Sequence, residues 1–335
     1  MSRIALTRGQ FLFPFAQVLE EVGAPTASLL EKHKLPSLLE GNVNDYVAIR
    51  SAIQFAEAAG RIQGIPDFGH LVARDATFDY LSERLRTQVV CSPTLYSALT
   101  TLCANAHLED TNLRVFLTHH GESVRLHSQL IGVKGLQGLE HSQWLQNVLP
   151  IHVVREFVGP QWVPSTMAFE ADYRPAVETQ EYWPETRFLG AQPYSWIDIP
   201  LKYMSLPPIR NYRMQSYIGS DERNISGKLL DSLKLMLPSY LGGKVPSISE
   251  VAEMANTSVR NLQRLLSETG VGYREILNTV KFERASMLLG RSDMSITEIA
   301  RSLGYFDGAH FTRAFRRMAG VTPMQYRKGL RTSSD

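Results

Sequence analysis

Cysteine is scarce. The chain holds two in 335 residues, Cys91 and Cys103, with no Cys or His at metal-ligand spacing beside them. That excludes a disulfide scaffold and points to reduced, buried thiols. Long hydrophobic runs are missing too. The stretch Phe11 to Phe15 is short, contains Pro14, and follows Arg3 and Arg8 without a small-residue cleavage site. Neither a signal peptide nor a membrane span is expected, and the chain is read as cytoplasmic with no membrane partner. No Gly-rich phosphate loop, nucleophile elbow or paired-carboxylate motif occurs, so the reading assigns no catalytic residue, no cofactor and no enzyme activity. Charge of one sign is lacking as well, with 35 Lys and Arg against 33 Asp and Glu. What is present is an ordinary globular composition, 44% hydrophobic and 20% charged, in a chain long enough for two folding units.

The near balance of charge conceals an asymmetry. From Asp221 onward there are 17 basic and 12 acidic residues, a surplus of +5, which leaves the first 220 residues at −3. Between Asn256 and Arg331 the excess sharpens to 13 basic against 6 acidic. A positive C-terminal region suits a polyanionic partner, although charge alone is equally compatible with a solvated basic face.

An internal repeat decides between them. Ser247-Ile248-Ser249-Glu250 and Ser295-Ile296-Thr297-Glu298 are both Ser-x-x-Glu capping boxes, each opening a short helix. Each helix then meets a break, at Asn256-Thr257 or at Gly304, and a second helix follows. In Ser258 to Leu266, Val259, Leu262, Leu265 and Leu266 share an inward face while Arg260, Gln263 and Arg264 point outward. In Asp307 to Met318, Phe311, Ala314 and Phe315 turn inward and His310, Arg313, Arg316 and Arg317 outward. Two helix-turn-helix units result, 48 residues apart. Between them Tyr273 to Leu289 reads as one linking helix of about 25 Å, stiff enough to hold two reading heads near the spacing of successive major grooves, about 34 Å. A plain helical bundle would leave unexplained why both second helices carry outward Arg beside hydrogen-bonding side chains.

These residues resemble the DNA-binding domain of AraC/XylS transcription regulators. The resemblance runs from about Asp221 to Arg331. It rests on Ser258-x-Arg260-x-Leu262-Gln263-Arg264, Gly272-Tyr273-x-x-Ile276-Leu277, Arg284-Ala285-x-x-Leu288-Leu289, Ile299-Ala300-x-x-Leu303-Gly304-Tyr305, and the run from His310-Phe311-Thr312-Arg313 through Gly320-x-Thr322-Pro323-x-x-Tyr326-Arg327. It implies a seven-helix domain whose recognition helices, Ser258 to Glu268 and Gly308 to Met318, enter the major groove of double-stranded DNA. Gly308 and Ala309 stand where relatives often carry larger polar side chains, which points to thymine-methyl or backbone contacts at the second helix.

The expected DNA-contacting set is Ser258, Arg260, Asn261, Gln263, Arg264, Gly308, Ala309, His310, Thr312, Arg313, Arg316 and Arg317. Arg260 and Arg264 can fork onto the O6 and N7 edge of guanine or clamp a phosphate, and Gln263 can pair with adenine. Arg264 and Arg313 are the leading candidates for base reading. His310 and Thr312 suit phosphate or sugar contacts. Arg316, Arg317 and Arg327 fit a solvated rim or helix packing equally well.

The first 200 residues read as a mixed α+β domain. Helical signals cover Phe11 to Val22, Thr26 to Lys32, Val47 to Gly60, Phe68 to Ala76 and Thr94 to Ala106. A hairpin follows, Asn112 to Thr118 with Ser123 to Leu130, then a helix from Gly138 to Phe157 and strands at Thr166 to Ala171 and Ser195 to Ile199. The order of Asp67-Phe68-Gly69, Ser92-Pro93-Thr94-Leu95 and Pro200-Leu201 is similar to the ligand-binding N-terminal domain of one subgroup of AraC-type regulators, of the arabinose-binding-domain kind. By that resemblance the front half is a sensor that binds a small organic effector and dimerises, and RNA polymerase is a further partner of what would be an activator. Tyr173, Trp183, Tyr194 and Trp196 are the candidates for lining an effector pocket, although aromatics in strands more often build core. Six histidines, at 107, 119, 120, 127, 141 and 152, lack the spacing of a helix-borne metal site, so no metal is expected.

The expected architecture is therefore an α+β sensor domain followed by an all-α domain of two helix-turn-helix units joined by a linking helix. Residues 1–205 form the effector-binding and dimerisation domain, 206–223 the linker and 224–331 the DNA-binding domain. The function that follows is an effector-controlled transcription regulator, the alternative being a sensor enzyme with an autoregulatory DNA-binding domain.

Overall fold

The computed structural model describes residues 4–37, 45–210 and 228–332, with the side chains of 331 and 332 excepted. The expected linker lies outside the described residues from Asn211 on. The chain divides into two compact units. Among described residues one holds 5–33 and 48–210, and the other holds 228–332 together with residue 4, 34–37 and 45–47.

The N-terminal unit begins with β1 (Leu6–Arg8), α1 (Gly9–Glu21) and α2 (Thr26–Lys32). After β2 (Tyr46–Ala48), of which only Ala48 groups with this unit, come α3 (Ile49–Gln63), α4 (Phe68–Arg74), α5 (Glu83–Val90) and α6 (Leu95–Asn105). The hairpin β3 (Leu113–His120) and β4 (Ser123–Leu130) follows, then α7 (Leu139–Val158), β5 (Thr166–Ala168), α8 (Val177–Tyr182), β6 (Arg187–Leu189) and β7 (Ser195–Pro200). The last five strands form one sheet in the order β3-β4-β7-β5-β6, antiparallel except for the parallel β5–β6 pair. This is the α+β class expected. Helix α7 is buried on most sides, the polar His141, Gln143 and Asn147 included, with Trp144 and Ile151 fully buried. It packs against α4, where Gly69 is needed because a Cβ there would stand 2.5 Å from the His141 Cα.

The C-terminal unit is all helical. It runs α9 (Leu229–Met236), a 3₁₀ turn to Tyr240, α10 (Ile248–Met254), α11 (Val259–Glu268), α12 (Tyr273–Arg291), α13 (Ile296–Ser302), α14 (Gly308–Ala319) and α15 (Pro323–Thr332). Both capping boxes form as the spacing demands, Ser247 with Glu250 and Ser295 with Glu298, each Glu receiving the cap amide at 2.7 Å. Helix α9 stops at Met236 and the chain tightens to 3₁₀ through Pro238, which has no N–H for an α-helical bond. Residues 34–37 and 45–47, which a division along the chain assigns to the front domain, group with this unit. The Lys34 carbonyl accepts from the Tyr240 hydroxyl at 2.9 Å, the Tyr46 carbonyl accepts from Ser239 at 2.6 Å, and the Lys34 ammonium pairs with Glu253.

Candidate functional site

Two places in the chain gather chemistry. The first is the paired helix-turn-helix. In each repeat the break between helices is a left-handed residue, Asn256 at φ 49° and Gly304 at φ 72°. The hydrogen bonding around it is the same in both. The Thr257 and Tyr305 amides each reach the carbonyl five residues back, Ala252 or Ala300, at 2.9 Å. Gly bears this conformation without cost and Asn tolerates it, so two different residues build one turn.

The second helices are capped by side chains. Ser258 accepts from the Asn261 amide at 3.2 Å and Asp307 from the His310 amide at 2.6 Å. On α11, Leu262 and Leu266 are buried while Arg260, Gln263 and Arg264 are exposed. Asn261 is half-buried and bridges, donating to Thr257 at 2.7 Å and accepting from Arg264 at 3.0 Å, while Arg264 also pairs with Glu268. On α14, Phe311 and Phe315 are buried, and Ala309, His310, Arg313, Arg316 and Arg317 are exposed. Gly308 and Thr312 are half-buried, and the Thr312 hydroxyl donates to the Gly308 carbonyl at 2.7 Å. Arg327 is committed elsewhere, its guanidinium donating to the Leu289 and Met294 carbonyls at 3.3 and 2.7 Å. It holds α15 to the C-terminal end of α12. Helix α12 itself has 19 residues, about 28 Å of rod between the two repeats.

The second place is a cavity of about 920 Å³, open mouth included, inside the N-terminal unit. Its walls are mainly apolar, with Phe11, Phe15, Leu102, Leu126, Leu145 and Ile197 among them, and its polar groups include Glu109, Asp110, Ser128 and Gln146 besides Thr7, Ser142 and Asn147. Asp110 is 7% exposed, and its Oδ1 has no hydrogen-bond partner. Burial pushes its carboxyl up to about 7 and Glu109 adds to the rise, against the Thr7 hydroxyl and Arg8. The Gln146 Nε2 is likewise without a partner, while its Oε1 accepts from Ser128 at 3.3 Å. Glu109 is saturated by contrast, paired with Arg8 at 2.6 Å and accepting from Ser82.

None of the aromatics singled out from the sequence lines this cavity. Tyr173 and Trp183 join Trp144 and Phe169 in the core, and Trp183 donates to His70 Nε2 at 3.2 Å. Trp196 lies under the Arg125 guanidinium, and Tyr194 meets the stacked rings of Phe116 and His127. The cavity residues escaped notice because they come from β1, α1, α3, α6, β3, β4, α7 and β7, with no local motif to join them. Among described residues Glu57, Glu140 and His141 come close enough to suggest a cation site. The His141 Nδ1 accepts from the Gly69 amide at 3.1 Å, which leaves the ring proton on Nε2 facing Glu57, a donor rather than a metal ligand. Of the other middle histidines, His107, His119 and His120 are exposed, and burial lowers His152 and His127. Cys91 and Cys103 are free but half-buried, less enclosed than expected.

A family profile described as a helix-turn-helix domain matches residues 251–329. The ornithine utilization regulator of Pseudomonas aeruginosa is 28% identical over 144 residues, 41% of this chain and 42% of that protein. The HTH-type transcriptional regulator VirS of Mycobacterium tuberculosis is 23% identical across 96% of both chains. Among solved structures, the transcriptional regulator CdpR from Pseudomonas aeruginosa is similar over 90% of this chain and 96% of that one, at 18% identity and a TM-score of 0.39. No helix among the described residues is long and apolar enough to cross a membrane.

Proposed function

Since the chain belongs to the AraC family of DNA-binding transcription regulators, we propose that a small organic effector held in the N-terminal unit controls how its two recognition helices engage DNA. The observation that carries the effector reading is the cavity, whose mostly apolar wall with a few polar groups is that of a small-molecule site. In the C-terminal unit the exposed edge of α11 offers Arg260, Gln263 and Arg264 to base edges, and α14 offers Arg313, with Arg316 and Arg317 toward phosphates. Ser258 and Asp307 are occupied with capping their helices, so Ser258 sets the pose of α11 more than it reads sequence. A homodimer and a contact with RNA polymerase belong to the same proposal on the strength of the family resemblance.

The test is selection of bound sites from random duplex DNA by the full chain, with and without a metabolite library. Recovery of a consensus with two half-sites about one helical turn apart, and a change in occupancy with one metabolite fraction, is the expected result. A consensus that no metabolite shifts would leave the DNA reader and remove the sensor.

A further inference from the structure

The cavity of the N-terminal unit also carries information about its ligand's chemistry, on the reading that this unit is the sensor. Three features of the wall restrict what fits. First, the polar groups are biased in sign. Glu109 and Asp110 both line the cavity, the single cation Arg8 is shared between them and pairs directly with Glu109, and no Lys or Arg stands among the lining residues. An anionic ligand would meet an unbalanced carboxylate with no cation to offset it. Second, the apolar share of the wall is large, so a sugar or other polyhydroxylated molecule would bury hydroxyls without partners, at a cost for each. Third, a carboxylate oxygen is left open. One oxygen of Asp110 is engaged by the Thr7 hydroxyl, while Oδ1 is enclosed without a donor. Pro150, on the same wall, has no N–H to give the Gln146 carbonyl one helical turn before it, so that carbonyl lacks the helical donor it would otherwise receive.

We propose that the cavity takes an amphipathic primary amine, its ammonium donating to Asp110 Oδ1 and its apolar body lying against Phe11, Phe15, Leu126 and Leu145. An ammonium supplies the missing positive charge and up to three donors, and a charge-assisted hydrogen bond in an enclosed site is stronger than a neutral one. The unpartnered Gln146 Nε2 is a donor elsewhere on the wall, suited to a hydroxyl or carbonyl oxygen carried further along the same molecule. The saturated Arg8–Glu109 pair acts as scaffold, fixing the connection before β3 that presents Asp110.

Three probes of one shape and different heads test this: 2-phenylethylamine, 2-phenylethanol and phenylacetate, titrated calorimetrically into the full chain. The amine is expected to bind about tenfold or more tightly than the alcohol, and phenylacetate more weakly than either. Asp110→Asn should abolish the preference for the amine while keeping a cooperative tryptophan-monitored unfolding transition, which reports that the N-terminal unit still folds. Ala56→Leu, which fills the cavity from α3, should weaken all three probes. If the alcohol or the acid binds as tightly as the amine, and Ala56→Leu removes that binding, the amine assignment is wrong and the sensor cavity stands. An amine that binds Asp110→Asn as well as the parent also overturns the assignment. Failure of all three probes to bind overturns both the assignment and the use of this cavity as the sensor.

Discussion

Arg264 in the free protein is not a loose side chain. Its guanidinium is shared between Asn261 and Glu268 on its own helix, and Asn261 is in turn fixed by Thr257. Such a chain pre-orients the planar fork, so less rotamer entropy is lost on meeting a base, although Glu268 competes with the DNA for the same donors. Arg264→Ala should therefore cost about 1 to 3 kcal/mol on the preferred site and relax the base choice at one position. Gel-shift titrations over single-base variants check this, and a uniform loss over all sequences would make Arg264 a phosphate contact. Glu268→Gln, which removes the competitor, should tighten binding. In the other unit, Asp110 sets a pH dependence. Its carboxyl lies at about 7 against a reference of 3.8, from burial first and Glu109 second, opposed by Thr7 and Arg8. The folded state holds this proton more tightly than the unfolded chain, so its contribution is fully present in acid and is lost as pH rises from about 4 through 7. The loss amounts to about 4 kcal/mol at most. All four tryptophans, at 144, 162, 183 and 196, lie in the N-terminal unit, so their fluorescence follows its unfolding alone. Urea titrations should show Asp110→Asn gaining on the parent between pH 5 and 8, and a constant difference would refute the raised carboxyl.

At the scale of elements, two turns and one crossing hold the sites in place. Asn256 and Gly304 occupy equivalent left-handed positions. Asn256→Gly should be tolerated with little change, whereas Asn256→Val, β-branched where φ is positive, should destabilise the C-terminal unit by about 1 to 2 kcal/mol, read from its far-UV melt. Where α4 crosses α7, Gly69→Ala forces a methyl against the His141 backbone and disturbs the Gly69 amide bond to the His141 ring. It should cost about 1 to 3 kcal/mol in the tryptophan-monitored transition. These positions also mark what the sequence makes legible. The C-terminal helices follow from caps, breaks and 3.6-residue periodicity, all local signals, and the exposed polar faces of α11 and α14 follow with them. In the N-terminal unit the longer helices and the β3–β4 hairpin are equally local. The short β1, β2, β6 and α8 carry no pattern of their own and form only because neighbours supply their partners. Helix α5 escapes because its few apolar residues, Leu85, Val89 and Val90, make too short a stripe. The cavity is hidden for the same reason on a larger scale, since residues from Thr7 to Ile197 meet there. Aromatic content drew attention to Trp183 and Trp196, whereas unpartnered polar atoms, visible only in three dimensions, mark Asp110 and Gln146.

For the whole molecule, the charge asymmetry separates two tasks. The basic region from Asp221 supplies the attraction to phosphate, and DNA affinity of the full chain should fall steeply with salt, as counterion release requires. The proposed sensing has to act on top of that sequence-independent term. An effector can change DNA affinity only by the difference in its own affinity for the DNA-competent and DNA-incompetent states, and linkage makes the effect reciprocal. Couplings of this kind are typically about 1 to 3 kcal/mol, or roughly 5- to 150-fold. Titrating the full chain with an effector, alone and then saturated with its selected operator, should thus show a change in effector affinity by the same factor that the effector changes operator affinity. Equal factors in the two titrations establish that the N-terminal unit governs DNA binding. Should an effector bind equally well with and without operator, the cavity would be uncoupled from DNA affinity, and regulation would have to run through polymerase contact or the geometry of an oligomer on the DNA.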